Sequence, residues 1–269
     1  ALGKGVVICR TRQEVFDALK SVMVDLKFGE NAGRKVVMEE FMTGREVTVL
    51  AFCDGKTLLP MPASQDHKKA FDGDKGANTG GMGAFAPTPY FSEQDKNEFL
   101  QNIALPTLKG LEKEGIVFKG VLYFGLMKTS GGLKVVEYNA RFGDPETQVV
   151  LALLKSDLLE IVNAVIEGRL DCTEVLWSDE TALTVVVADG GYPDNVVKGK
   201  EIRIGDLDGV RLIHAGTKLD GGRLKTNGGR VFNVVGVAES LDKARKKVYG
   251  QIDKVGFEGA RYRADIGLV

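Results

Sequence analysis

The chain has 269 residues, with 36 Lys plus Arg against 37 Asp plus Glu and a formal net charge of −1. So even a balance argues against a general nucleic-acid or polyanion binder, and no apolar run approaches the ~20 residues that cross a bilayer. Three far-apart cysteines, Cys9, Cys53 and Cys172, show no CxxC spacing, which points away from structural zinc and toward a reduced, cytoplasmic compartment.

No secretory signal pattern opens the chain. Glycine is abundant at 34 residues, above the ~7% of average proteins. Its clusters fall between strongly patterned segments, as backbone-lined binding loops do. The first residues run from a glycine turn straight into apolar Val6–Ile8, an expected strand, so the chain reads as starting inside a domain. Gly3-Lys4-Gly5 reads first as a tight turn. Its functional alternative is phosphate contact through backbone N–H groups and the Lys4 amine.

Thr11-Arg12-Gln13-Glu14 has capping-box spacing. It predicts a helix with Val15, Phe16, Leu19, Val22, Met23 and Leu26 on one face. After a loop at Gly29–Gly33, strands are expected at Val36–Met38 and Val47–Phe52. The connector Glu39-Glu40-Phe41-Met42-Thr43-Gly44-Arg45-Glu46 between them is either a hairpin with solvated acids or a nucleotide-base hinge. In the second case backbone groups near Phe41 and Met42 read the base and a carboxylate takes the ribose hydroxyls.

Residues 53–91 show little regular structure. Loops longer than ~12–15 residues are functional or disordered, and the interleaved Met61, Phe71, Met82 and Phe85 favour an ordered substrate loop around Asn78-Thr79-Gly80-Gly81-Met82-Gly83. His67 suits a hydrogen-bonding or surface role, and His214 a place between strands. Ser92 caps a helix through Phe99 and Ile103, with Pro106 marking a kink. Gly120–Lys128, a turn at Ser130-Gly131-Gly132 and Leu133–Glu137 form an expected hairpin.

That hairpin leads into Val135-Val136-Glu137-Tyr138-Asn139-Ala140-Arg141, where Val135 and Val136 read as a buried strand end. Alternation places Glu137, Asn139 and Arg141 on one face. A carboxylate and an amide oxygen suit Mg²⁺, which keeps few protein ligands beside phosphate and water. The arginine suits a phosphate or carboxylate. A solvated edge strand is the plain alternative.

Ser156 is the expected cap of a helix over Asp157–Glu167 that ends at Gly168. Short strands then follow at Leu183–Val187, Glu201–Ile204, Arg211–Ala215, Arg223–Thr226 and Val231–Val237. Asn227-Gly228 marks a tight hairpin, and a helix over Ser240–Val255 packs Leu241, Ala244, Val248 and Ile252.

Taken in order, Gly3-Lys4-Gly5-Val6, the Glu39–Glu46 connector, Gln65-Asp66-His67-Lys68, the Asn78–Gly83 tract and Glu137 through Asp144-Pro145-Glu146-Thr147 resemble the phosphoribosylamine–glycine ligase (glycinamide ribonucleotide synthetase) family, ATP-grasp enzymes of purine biosynthesis in which the Gly3–Gly5 turn would be a flap over the phosphates. The likeness continues through His214-Ala215-Gly216-Thr217 and Thr226-Asn227-Gly228-Gly229-Arg230 to Tyr262–Gly267, and so covers essentially the whole chain. Glu-x-Asn-x-Arg alone marks any ATP-grasp enzyme, biotin-dependent carboxylases included. Another such ligase or carboxylase, or a non-catalytic nucleotide-binding fragment, is therefore the alternative.

The resemblance implies an α+β ATP-grasp fold, N-terminally incomplete, followed by a small β-rich domain. Its expected boundaries are 1–52 for a partial lid, 53–170 for the catalytic subdomain and 171–269 for the C-terminal domain. The implied cofactors are ATP and Mg²⁺ (or Mn²⁺), the metal on Glu137 and Asn139. The implied ATP contacts are Gly3, Lys4, Gly5, Glu39, Glu40, Phe41, Met42 and Glu46. Arg141, Lys68 and Asp66 are the implied catalytic residues. Asn78, Thr79, Gly80, Gly81, Gly83, Asp144, Thr226, Asn227, Gly228 and Arg230 border the substrates. Those substrates are glycine and 5-phosphoribosylamine, joined through glycyl phosphate by a monomer or homodimer that needs no nucleic acid or membrane. Family members carry a further domain ahead of the flap, so the chain resembles the C-terminal two-thirds of such an enzyme.

Overall fold

The computed structural model describes residues 6–29 and 31–268. It divides into two compact units, Ala1–Gly44 and Arg45–Val269. In the first, helix α1 (Arg12–Leu19) starts with the expected capping box: the Thr11 hydroxyl accepts the Glu14 N–H, and the Glu14 carboxylate accepts the Thr11 N–H. The helix widens into a π turn at Lys20–Val24. Its apolar face is only partly covered, with Phe16 and Met23 left 59% and 45% exposed.

The expected strands at Val6–Ile8 and Val36–Met38 do not form. A strand needs a neighbouring edge to take its N–H and C=O groups, and no ladder exists among the described residues of this unit. Gly3, Lys4 and Gly5 lie outside the described residues.

The second unit opens with β1 (Arg45–Cys53), β2 (Leu58–Pro60), β3 (Gln65–Asp66), β4 (Lys69–Phe71), β5 (Lys75–Asn78) and β6 (Gly83–Ala86). The stretch that looks irregular in sequence thus holds five strands. Each is two to four residues long, too short to display a two-residue period. Helix α2 (Glu93–Phe99), capped by Ser92, passes through a π turn at Leu100–Ala104 into α3 (Leu105–Lys113). The irregular turn sits just before Pro106, which has no N–H to give to the preceding turn. Strands β7 (Gly120–Thr129) and β8 (Gly132–Asn139) form the expected hairpin.

These pieces make an antiparallel sheet of order β2-β1-β7-β8, and alternation along β1 and β7 buries both of its faces. Val47, Val49, Ala51, Leu122, Phe124 and Leu126 pack against Phe99, Ile103 and Ala104 of the α2–α3 helix. Leu50, Phe52, Val121 and Tyr123 point the other way, onto α4 (Glu146–Val150), a 3₁₀ turn at Leu151–Leu153 and α5 (Leu158–Glu167). Val135 and Val136 are half-buried, not core, because β8 is the edge strand. Helix α5 is capped one residue later than expected: Asp157 accepts the Leu159 N–H at 2.7 Å, while the Ser156 hydroxyl accepts the Leu176 N–H.

The chain continues through β9 (Thr181–Asp189), β10 (Arg203–Ile204), β11 (Val210–His214), β12 (Thr217–Asp220), β13 (Arg223–Thr226), β14 (Arg230–Ala238), α6 (Leu241–Tyr249), β15 (Val255–Gly256) and β16 (Ala260–Arg261); β10 with β15 and β12 with β13 form small ladders, and the remaining strands build a second sheet. Its order is β11-β14-β9-β6-β3, with β16 also on β9. One face packs Leu183, Val185 and Val234 on Ala244 and Val248 of α6 and on Ile252. The other presents Ala84, Ala86 and Ala182 to the cluster that holds Val149, Val150 and Leu153. Helix α4 and its 3₁₀ extension therefore lie between the two sheets.

The closing helix is shorter than expected and continues as a 3₁₀ turn at Ile252–Lys254. Asn227-Gly228 is not a hairpin: β13 pairs with β12, while β14 pairs with β11 and β9. The tight turn is instead Gly221-Gly222, where φ values of +58° and +77° suit glycine. His214 lies exposed on edge strand β11, near Thr217, not between strands. All three cysteines are free. Among the described residues no helix is long and apolar enough to cross a membrane.

Phe99 is fully buried, edge-on to Phe124 at 5.0 Å and to Phe91 at 6.4 Å. Phe99→Ala should cost about 3–5 kcal/mol, read as a lower urea midpoint at unchanged slope. A midpoint near the wild type would show that this core does not hold the first sheet to its helix.

Candidate active site

The end of β8 carries the three polar residues on one face, as the alternation requires. Asn139 Nδ2 donates to Glu137 Oε1 at 3.3 Å, and Arg141 Nη2 reaches Asn139 Oδ1 at 3.5 Å. Arg141 Nη1 donates to the Phe142 carbonyl at 2.8 Å, which holds the guanidinium beside the pair. Tyr138, between them in sequence, turns to the other face, against Phe124 and Thr107. A carboxylate and an amide two residues apart on one face are a hard-donor set of the kind Mg²⁺ takes beside phosphate and water, although here the Asn139 nitrogen faces Glu137 and its oxygen faces Arg141. Among the described residues no group of three or more His, Cys, Asp or Glu could hold a metal.

The loop from β3 to β6 brings Asp66 and Lys68 to the same place. Lys68 Nζ pairs with Glu46 Oε2 at 2.5 Å, so Glu46, expected at a ribose, is engaged by lysine in this structure. Burial alone would depress the Lys68 ammonium. Asp66, Glu46 and Glu137 around it instead carry it above the usual lysine range. Burial, with Glu146 as the next contributor, pushes the Asp66 carboxyl up to about 7 against the opposing pull of Lys68.

Glu146 itself is 3% exposed, and burial raises its pKa although Tyr123 donates to its Oε1 at 2.8 Å. Tyr123 also shares a hydrogen bond with Thr48 at 3.0 Å. Glu146 and Tyr123 were not among the sequence candidates. Glu146 stood inside the recognised Asp144–Thr147 run and could have been found there, whereas nothing marked Tyr123.

Arg230 joins the glycine tract to the end of the motif. Its Nη1 donates to the carbonyls of Gly80 and Asp144, each at 2.7 Å, and Nη2 pairs with Asp144 Oδ2 at 3.2 Å. Gly81 allows the close approach: it sits at φ +113°, and a Cβ there would stand 2.3 Å from Pro145 Cδ. Thr79 ties the loop back to Lys68, donating from its hydroxyl to the Lys68 carbonyl at 2.8 Å.

Asn78 is exposed at the end of β5, paired with Lys69, and Gly83 is buried in the second sheet. Thr226 lies apart, buried against the backbone of Gly199 and Lys200. Asn227 and Gly228 pack on Gly216. Glu39, Glu40 and Phe41 are exposed on the first unit, in a segment without helix or strand.

The shifted Asp66 makes a pH prediction. Its folded pKa lies above its unfolded value, so the folded state binds the proton more tightly. The stability this adds is fully present below the ordinary carboxylate range and is lost as pH rises to about 7. Urea midpoints of wild type and Asp66→Asn, measured at about pH 5 and about pH 8, should shift in favour of the variant at the higher pH. A difference that does not change with pH would place Asp66 in an unperturbed environment.

The sequence matches the family described as phosphoribosylglycinamide synthetase, through its ATP-grasp (A) domain over residues 1–147 and its C domain over residues 182–269. A phosphoribosylamine–glycine ligase of Brucella melitensis is 46% identical over 99% of this chain, which covers 63% of that protein. The crystal structure of a phosphoribosylamine–glycine ligase from Thermotoga maritima superposes with a TM-score of 0.85 at 37% identity, over 98% of this chain and 66% of that one. A biotin carboxylase from Campylobacter jejuni, 14% identical with a TM-score of 0.73 over the whole of this chain and 58% of its own, shares the fold alone. The chain spans less than two thirds of the length of the ligases it matches. The fold is ATP-grasp, and the chain belongs to the phosphoribosylglycinamide synthetase family.

Proposed function

We propose that this chain carries the ligating centre of an enzyme that joins glycine to 5-phosphoribosylamine at the expense of ATP, giving glycinamide ribonucleotide, ADP and phosphate in the cytoplasm. The observation that carries the reading is the convergence of Glu137, Asn139 and Arg141 with the Asp66–Lys68 loop in a member of this family. Glu137 and Asn139 would hold Mg²⁺, which supplies positive charge to the phosphate oxygens of ATP. Arg141 has donors left after binding Phe142 and Asn139, and it suits the glycine carboxylate or the transferring phosphoryl group.

In this reading the carboxylate of glycine attacks the γ-phosphorus, ADP leaves and glycyl phosphate forms. The amine of phosphoribosylamine then attacks the acyl carbon, the C–N bond forms and the C–O bond to phosphate breaks. A proton leaves the nitrogen, and in this reading Asp66, its carboxyl pushed up to about 7 by burial, takes it. Lys68, locked as an ammonium among carboxylates, stabilises the anionic acyl phosphate. No protein nucleophile is needed; positioning and charge neutralisation suffice.

Phosphate release from ATP should therefore require glycine and phosphoribosylamine together and be indifferent to bicarbonate. Glu137→Gln should lower kcat by about 10²-fold or more at saturating Mg²⁺ with the fold intact. Near-normal turnover of that variant would remove Glu137 from the metal site.

A further inference from the structure

A cavity of about 460 Å³ opens beside the candidate centre, between the Phe142–Ala152 segment and the β11 edge of the second sheet. It begins at Phe142, the residue after Arg141, and is walled by Phe142, Leu151 and Ile213, with Asp144 on one side and Arg211 on another. Arg211 and Ile213 are two apart on edge strand β11 and so share a face. Among the described residues the Arg211 side chain has no hydrogen-bond or salt-bridge partner, and it is the cation of the cavity lining. Arg230, expected from the sequence to border the substrates, is already engaged by Gly80, Gly81 and Asp144.

We propose that this cavity receives the sugar-phosphate end of the amine substrate, with the phosphate monoester on Arg211 and the ribose hydroxyls on Asp144. The proposal rests on the ligase reading and adds a residue that no motif indicated. The volume falls within the ~300–1,000 Å³ of small-molecule sites. A free guanidinium matches a phosphate in two-pronged fashion.

The two polar sides fix the direction. Asp144 is held by Gln148 Nε2 at 2.9 Å and Arg230 Nη2 at 3.2 Å, yet its side chain remains 45% exposed. An anchored, accessible carboxylate accepts hydroxyls and repels phosphate, so the phosphate goes to Arg211 and the sugar to Asp144. The amine is then the end left to reach toward Arg141, which precedes the lining residue Phe142.

The test uses ribose 5-phosphate, a stable phosphorylated pentose, titrated calorimetrically into wild type, Arg211→Ala and Arg211→Lys, with unphosphorylated ribose as a second probe. Ribose 5-phosphate should bind wild type and weaken roughly 10- to 100-fold in Arg211→Ala. Arg211→Lys should restore part of the loss, and ribose should not distinguish the three. The KM for phosphoribosylamine should rise by a similar factor, with the KM values for ATP and glycine unchanged. Equal affinity of wild type and Arg211→Ala for ribose 5-phosphate, or none for wild type, would overturn the assignment. Glycine ligation with an unaltered KM for the amine in Arg211→Ala would overturn the cavity and leave the ligase reading standing. Arg211-dependent binding without any ligation would do the reverse.

Discussion

The site depends on the burial of one short segment between two sheets. Val149, Val150 and Leu153 are at most 1% exposed, covered on one side by Leu50, Phe52 and Tyr123 and on the other by Ala84, Ala86 and Ala182. Each such side chain contributes about 1.5–3 kcal/mol by leaving water, enough to fix where α4 begins. Since α4 follows β8 after only a tight connection, the anchoring determines where Glu137, Asn139, Arg141, Asp144 and Glu146 stand. The same packing brings β6, and with it the glycine tract, against the motif, where Arg230 closes the join.

The second constraint is electrostatic. Glu46, Asp66, Glu137 and Glu146 surround one ammonium, that of Lys68. Two of these carboxyls, Asp66 and Glu146, are held back from ionising by burial, so the group divides its labour. Lys68 stays cationic, while Asp66 and Glu146 are pushed toward their protonated forms. A site that holds a proton near neutrality beside a fixed cation suits chemistry in which an anion is made and an amine then loses a proton.

Much of this was legible in the sequence because it follows from short-range rules. The Thr11 capping box, the Ser92 cap, the β7–β8 hairpin and the shared face of Glu137, Asn139 and Arg141 need only local spacing. What was hidden depends on partners far along the chain. Among the strands between Leu58 and Ala86, β2 is defined by its pairing with β1 and β6 by its pairing with β9, while β3 leans on β6 and β4 on β5; none shows a pattern of its own. Asn227-Gly228 carries a hairpin signature, but the strands flanking it find better partners elsewhere. Tyr123 looked like one more apolar strand residue until folding put Glu146 2.8 Å from its hydroxyl. Arg211, an ordinary edge-strand residue in sequence, gains interest only from the cavity it borders.

The central claim is that one centre activates a carboxylate as an acyl phosphate and passes it to an amine. Glycine labelled with ¹⁸O in its carboxylate tests this directly, through mass analysis of the phosphate released in the presence of ATP and phosphoribosylamine. The account predicts that each phosphate carries one ¹⁸O atom from glycine, because the C–O bond to the transferred phosphoryl group is the bond that breaks. Released phosphate free of the label, with glycine consumed, would contradict it.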